Sequence, residues 1–248
     1  MHCQPHYKGQ VYIWLKNKQN CLLCDEPSDS PLPLCDPCAD ELPWLGAQCM
    51  HCALPLPTAG LTCGQCLLHP PAFQQVIAAW RYDFPLDALI SRFKHQAKWP
   101  FGRLMAELLA QFLHYRFNEG LPRPDSLLPV PLSRQRLRQR GFNQAEMLAR
   151  WLGKELQLKV AGDLLRRRLD TPAQQGLDAR ARRRNLRQAF SLTGEVEVEV
   201  AGRHLALVDD VLTTGATAQA LARLLMDAGA RRVDVYCLAR TPRPETRD

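Results

Sequence analysis

The stretch Leu205–Thr217 reads LALVDDVLTTGAT. Four apolar residues lead into two acids, Asp209 and Asp210. A turn of small and hydroxyl residues follows, Thr213-Thr214-Gly215-Ala216-Thr217, and then an apolar-periodic segment begins. The order predicts a buried strand, a tight turn and a helix. Free backbone N–H groups and the positive end of the helix then converge on one point, which is an anion site. Gly215 permits close backbone approach, and the hydroxyls of Thr213, Thr214 and Thr217 add donors. Carboxylates at the C-terminal end of the strand accept hydrogen bonds from a cis-diol. A ribose 5-phosphate offers a diol and a phosphate at that separation. The plainer alternative is an acidic turn with a Thr-rich helix cap.

Working outward, the same alternation recurs. Val76–Trp80 and Arg232–Ala239 read as strands, and Ser126–Pro131 as a short strand stopped by prolines. Helices are expected near 86–94, over 101–117 and over 217–227. Asn143 caps a further helix, whose Ala145, Leu148, Ala149, Leu152 and Leu156 fall at helical spacing. A basic stretch over 180–190 is also expected to be helical. Strand, helix, strand in alternation predicts an α/β fold with a mostly parallel sheet and helices on both faces. Open parallel sheets bind ligands at the C-terminal strand ends, where Asp209 and Asp210 fall. No GxGxxG and no GxxxxGK[ST] is present, so neither a Rossmann dinucleotide site nor a Walker A loop is supported.

Composition sets the class. The chain has 248 residues, 46% apolar and 23% charged, as expected for a folded globular protein of one or two domains. No apolar run approaches the ~20 residues that span a bilayer, and the start lacks the pattern of a signal peptide. A cytoplasmic protein without membrane insertion is expected. The net charge is +7, unevenly spread. Residues 1–70 hold three Lys and six Asp or Glu, a balance of −3. Residues 134–187 hold fifteen Lys or Arg and five acids, a balance of +10. Concentrated positive charge points to a polyanionic partner, phosphate esters or nucleic acid. A solvated basic face is the alternative.

Eight of the ten cysteines form four CxxC pairs at a 14-residue period: Cys21/Cys24, Cys35/Cys38, Cys49/Cys52 and Cys63/Cys66. A CxxC turn points two thiolates at one tetrahedral centre, so four turns supply two structural zinc sites with no open position for a catalytic water. A disulfide framework is the alternative and requires an oxidising compartment. Short spacers favour sequential pairing over a cross-brace, because local closure costs less entropy. His51 and His69 read as surface residues, Cys3 as part of an unpatterned tail, and Cys237 as a buried thiol in a strand. Leu67-Leu68-His69-Pro70-Pro71 reads as a linker. The expected organisation is a tail over 1–20, a double zinc ribbon over 21–70 and an α/β domain over 71–248.

The loop at 209–217 resembles the phosphoribosyl pyrophosphate (PRPP) signature of type I phosphoribosyltransferases. Three more segments narrow the likeness: VPLSRQRLRQ with Arg140-Gly141-Phe142-Asn143-Gln144-Ala145, then Gln174-Gln175-Gly176-Leu177, then Arg184-Asn185-Leu186-Arg187-Gln188-Ala189-Phe190. Together with the cysteine pairs they resemble the ComF family, including its GntX-type proteins, over about residues 21–240. The resemblance implies a double zinc ribbon ahead of a type I phosphoribosyltransferase-like domain, and a role in uptake or use of external DNA. It implies a PRPP site at Asp209, Asp210, Thr213, Thr214, Gly215, Ala216 and Thr217. It also implies a pyrophosphate loop over 128–132, followed by Arg134, Arg136, Arg138 and Arg140, with Arg140 the leading candidate. Two functions follow. One is a DNA-uptake accessory protein that binds a phosphoribosyl ligand and single-stranded DNA or uptake proteins, with Phe142 and Trp151 as stacking candidates, although core packing suits Trp151 better. The other is an active phosphoribosyltransferase using PRPP with Mg2+ on the pyrophosphate and an unidentified acceptor.

Overall fold

The structure, a computed structural model, describes residues 19–168 and 189–242. Cys3, the 174–177 motif and residues 184–188 of the RNLRQAF motif lie outside the described residues. The expected helix over 180–190 does too, except for its last two residues.

The elements run β1 Gln19–Asn20, β2 Pro27–Ser28, α1 Asp36–Asp40, α2 Gly64–Leu68, β3 Gln75–Arg81, α3 Leu86–Gln96, α4 Trp99–Asn118, β4 Ser126–Pro129 and α5 Arg134–Arg140. They continue with α6 Gln144–Leu156, β5 Lys159–Val160, β6 Leu165–Arg167, β7 Phe190–Leu192, α7 Val196–Glu199, β8 His204–Leu212, α8 Ala216–Asp227 and β9 Arg232–Arg240. The chain divides into two compact units, Met1–Glu41 and Leu42–Asp248. That division falls between the two cysteine clusters, whereas the sequence reading drew its boundary after residue 70. Leu67 and Leu68, read as linker, end the helix α2. Gln19 and Asn20, read as tail, pair antiparallel with Ser28 and Pro27.

The smaller unit is a loop-rich knuckle around Cys21, Cys24, Cys35 and Cys38, with Leu34 buried. The larger unit carries a five-stranded sheet in the order β3-β9-β8-β4-β5, and every pairing in it is parallel. Consecutive strand residues point to opposite faces. In β9 nearly all of them are buried, from Val233 to Arg240, so both faces are covered. One face of β9 presents Val233, Val235 and Cys237 to a core shared with Ala218, Leu221, Ala222 and Leu225 of α8. On the other, Tyr236 packs against Phe117 of α4, ring centroids 6.5 Å apart. The strands are near-continuous Val/Leu/Ile/Ala runs because no face of a parallel sheet meets water. The helix over 144–156 starts as expected: the Asn143 side chain accepts a hydrogen bond from the Ala145 N–H at 3.1 Å.

Topology positions the site. From β4 the chain passes through α6 to β5 on one side, and from β8 through α8 to β9 on the other. Strand order therefore reverses between β4 and β8, the crevice in which open α/β sheets bind ligands. Register deepens that crevice. β4 pairs with β8 only from Ser126↔Leu205 to Pro129↔Val208, while β8 continues along β9 to Leu212↔Arg240. Asp209 and Asp210 thus lie within the strand, past the end of β4, near its C-terminal end as the sequence suggested, and the strand runs on to Leu212. Among the described residues, no helix is long and apolar enough to cross a membrane.

Candidate ligand site and zinc centres

A cavity of about 340 Å³ opens at this crevice. That volume lies within the usual range for small-ligand pockets, about 300–1,000 Å³. From the acidic loop it is lined by Asp209, Asp210, Val211, Thr213 and Thr217. The segment after β4 contributes Val130, Pro131 and Leu132, and the following helices contribute Arg136, Arg140 and Gln144. Tyr82, Lys94 and Arg167 complete the wall. Three arginines and a lysine thus face two carboxylates, which suits an anionic ligand carrying hydroxyls.

Local chemistry explains each placement. Ser133 caps α5 by accepting from the Arg136 N–H at 3.2 Å. Arg136 and Arg140 are four residues apart on that helix and share a face. Gly141, at φ +82°, ends the helix, and Asn143 Nδ2 donates to the Val130 carbonyl at 3.1 Å, fastening α6 to the loop after β4. Arg140 bonds Gln144 through Nη1. Burial lowers the Arg140 pKa from its ordinary value, against the pull of the Asp210 and Asp209 charges.

Asp210 is 3% exposed, and its Oδ2 lies 2.9 Å from Lys94 Nζ. Beyond that charge contact, Oδ2 accepts no hydrogen bond among the described residues. Oδ1 accepts from the Val211 N–H at 2.6 Å. Asp209 accepts from the Asp210 N–H at 2.9 Å. Burial, and then the neighbouring Asp210 charge, push the Asp209 carboxyl up to about 8. The arrangement is a carboxyl pair with one member held by a lysine, a buried acceptor facing the cavity, and a loop leading into a helix start.

Backbone geometry shapes the loop itself. Thr214, Gly215 and Ala216 do not line the cavity wall; the Thr214 hydroxyl instead accepts from the Ala216 N–H at 3.3 Å. Gly215 adopts φ +75° as the N-cap of α8, and a Cβ there would meet nothing within 4 Å. The left-handed backbone by itself therefore favours glycine at this position. Lys94, Tyr82 and Arg167 were not singled out from the sequence, because nothing local marks them. Arg134 and Arg138 are not among the lining residues. Phe142 and Trp151 both stack on buried Phe93, with centroids 5.6 and 5.9 Å away, so packing accounts for both rings.

The cysteines sort into two groups, Cys21/Cys24/Cys35/Cys38 and Cys49/Cys52/Cys63/Cys66, the sulfurs of each within 4.8 Å of one another. Pairing is therefore sequential, as the spacing suggested. The Cys24–Cys35 and Cys52–Cys63 sulfurs are 3.7 Å apart. A zinc tetrahedron with 2.3 Å Zn–S bonds has an edge of about 3.8 Å, so the residues fit the ion. The Cys63 N–H donates to Cys49 Sγ at 3.3 Å. Burial raises the Cys21 and Cys49 thiols, but backbone N–H donors outweigh it and bring each to about 6, whereas burial pushes the Cys38, Cys52 and Cys66 thiols up. All nine described cysteines are free of disulfides, and Cys237 is buried as expected.

Comparison with known proteins places both cysteine clusters in one matched family segment. The double zinc ribbon domain family matches residues 18–67, and the phosphoribosyl transferase domain family matches residues 143–248. Competence protein F of Haemophilus influenzae is 35% identical over 236 residues, 95% of each chain. DNA utilization protein YhgH of Escherichia coli is 39% identical over 173 residues, 69% of this chain and 74% of that one. Among solved structures, the glutamine PRPP amidotransferase from B. subtilis, complexed with ADP and GMP, aligns at TM-score 0.37 and 20% identity, over 55% of this chain and 25% of that chain.

Proposed function

The chain belongs to the family of competence protein F and DNA utilization protein YhgH, and from that premise we propose that it binds PRPP or a related ribose 5-phosphate compound while serving the uptake or use of external DNA in the cytoplasm. The observation that carries the reading is the cavity at the β4/β8 crevice, which sets Asp209 and Asp210 against Arg136 and Arg140. In this reading the N–H groups at the start of α8 and the hydroxyls of Thr213 and Thr217 hold the 5-phosphate. The buried Asp210 acceptor and Asp209 take the ribose hydroxyls. Arg140, with Arg136 beside it, takes the pyrophosphate, which arrives with Mg2+. The two zinc ions are structural and take no part in the chemistry.

Calorimetry with PRPP and Mg2+ tests this. Saturable binding that weakens about ten-fold or more in Asp210→Asn is expected, since a hydrogen bond to a charged group is worth ~1.5–3 kcal/mol. No heat and no thermal shift at saturating ligand would sink it. Release of pyrophosphate from PRPP with a supplied acceptor would favour the transferase reading over a binding role.

Single-stranded DNA is the second ligand in this proposal. Its support is α5, RQRLRQR, whose Arg134 and Arg138 are exposed and lie outside the cavity lining. Phosphate contacts made there would weaken in proportion to log salt as counterions leave.

A further inference from the structure

The phosphate loop and the second zinc centre share one buried guanidinium. Arg240, the last residue of β9, is 7% exposed. Its Nη1 donates to the carbonyls of Leu212 at 3.1 Å and Thr213 at 2.6 Å, at the entry of the loop, and to the Thr241 carbonyl at 2.6 Å. Its Nε donates to the carbonyl of Cys52 at 2.9 Å. Cys52 is also a member of the second cysteine cluster through its sulfur. That knuckle is fastened to the strand edge as well: the Val76 N–H donates to the His51 carbonyl at 2.7 Å, and the Leu45 N–H to the Ala79 carbonyl at 2.9 Å. No ion pair to Arg240 is formed among the described residues, so its charge is satisfied by carbonyl dipoles whose positions it fixes in return.

We propose that Arg240 is a positioning residue that couples the second zinc centre to the phosphate loop, so that zinc at Cys49/Cys52/Cys63/Cys66 and a phosphorylated ligand at Thr213–Thr217 favour one another. Zinc fixes the backbone of the Cys52 knuckle and with it the carbonyl that Arg240 grips. A fixed guanidinium holds the Leu212 and Thr213 carbonyls, which sets the direction in which the next N–H groups point. When the knuckle opens, one acceptor is lost and the buried fork re-seats on the others, taking the loop with it. Coupling between two sites is reciprocal, so the ligand tightens the zinc centre by the factor by which zinc tightens the ligand. The ligand half of this inference rests on the PRPP reading above; the structural half, from knuckle to loop, does not.

Full-length, zinc-loaded protein is compared with Arg240→Gln, Arg240→Lys and Cys63→Ser. PRPP is the probe. N-ethylmaleimide labelling is read peptide by peptide on Cys49, Cys52, Cys63 and Cys66, and amide exchange is followed at residues 212–217. Saturating PRPP should slow labelling of the second cluster about ten-fold in the wild type, within the usual range of allosteric coupling, and should do nothing in Arg240→Gln. Arg240→Lys, which keeps the charge and loses the fork, should behave like Gln. Both variants should retain two zinc ions and bind PRPP about ten-fold more weakly. If the wild type binds PRPP and labelling is unchanged, the coupling is wrong. If the wild type binds no PRPP, the ligand reading fails by itself, and exchange decides the coupling. Faster exchange at 213–216 in Cys63→Ser and Arg240→Gln, with Leu127 and Leu128 still protected, supports it. Unchanged exchange overturns it.

Discussion

Lys94→Met probes the least sequence-visible part of the site. Lys94 Nζ is 2.9 Å from Asp210 Oδ2, with side-chain exposures of 19% and 5%. At that distance and an effective dielectric of about 20, the gross Coulomb attraction is about 6 kcal/mol. Desolvating both charges offsets much of it, so the useful quantity is the cost of removing one partner, ~3–5 kcal/mol for a buried pair. Lys94 keeps partial access to water, which puts the expected loss at the lower end, ~3 kcal/mol. Methionine retains the apolar stem, so lost packing contributes little. Urea unfolding at pH 7 of wild type, Lys94→Met, Asp210→Asn and the double variant isolates the pair. The cycle should return a coupling of at least ~1.5 kcal/mol, because Asp210→Asn removes the charge that Lys94→Met strands. A loss below ~0.5 kcal/mol in Lys94→Met, or additive single effects, would refute the view that Lys94 and Asp210 are energetically coupled.

Three further outcomes follow from the geometry. Asp209, pushed up to about 8, takes up protons on folding, so its contribution favours the native state below its ordinary range near 4 and is lost as pH rises towards about 8. Asp209→Asn should therefore gain stability relative to wild type at pH 9 and little at pH 5, by thermal unfolding; a constant difference across pH would contradict the shift. Metal analysis should find two zinc ions per chain, and Cys21→Ser should retain one, because its three remaining partners lie in a different cluster from Cys49, Cys52, Cys63 and Cys66; loss of both ions would mean the centres are not independent. Gly215→Ala should cost ~1–2 kcal/mol in chemical denaturation through left-handed strain alone, since its Cβ meets open space; a neutral result would show that the loop relaxes freely.

The sequence determined what short-range geometry determines. A CxxC turn closes within four residues, so the metal type, the ligand set and the preference for sequential pairing were legible. A strand ending in two acids, followed by TTGAT and a helix, places its own N–H groups and carboxylates, so the strand–turn–helix there was legible too. Asn143 as a cap and the buried runs of β3, β8 and β9 followed from residue type and period. What only the tertiary structure decided is what fills the space between these pieces. The sheet order set β4 beside β8, and their register let Asp209 and Asp210 continue as strand past the end of β4. The helical stagger of α5 chose Arg136 and Arg140 over Arg134 and Arg138. Lys94 sits in LISRFKHQ, where the pattern fits a solvated lysine equally well, and Arg240 closes a strand whose sequence gives no reason to expect a grip on a zinc knuckle. Each acts through a partner far along the chain, and residue spacing carries no signal for contacts that exist only once strands are ordered and paired.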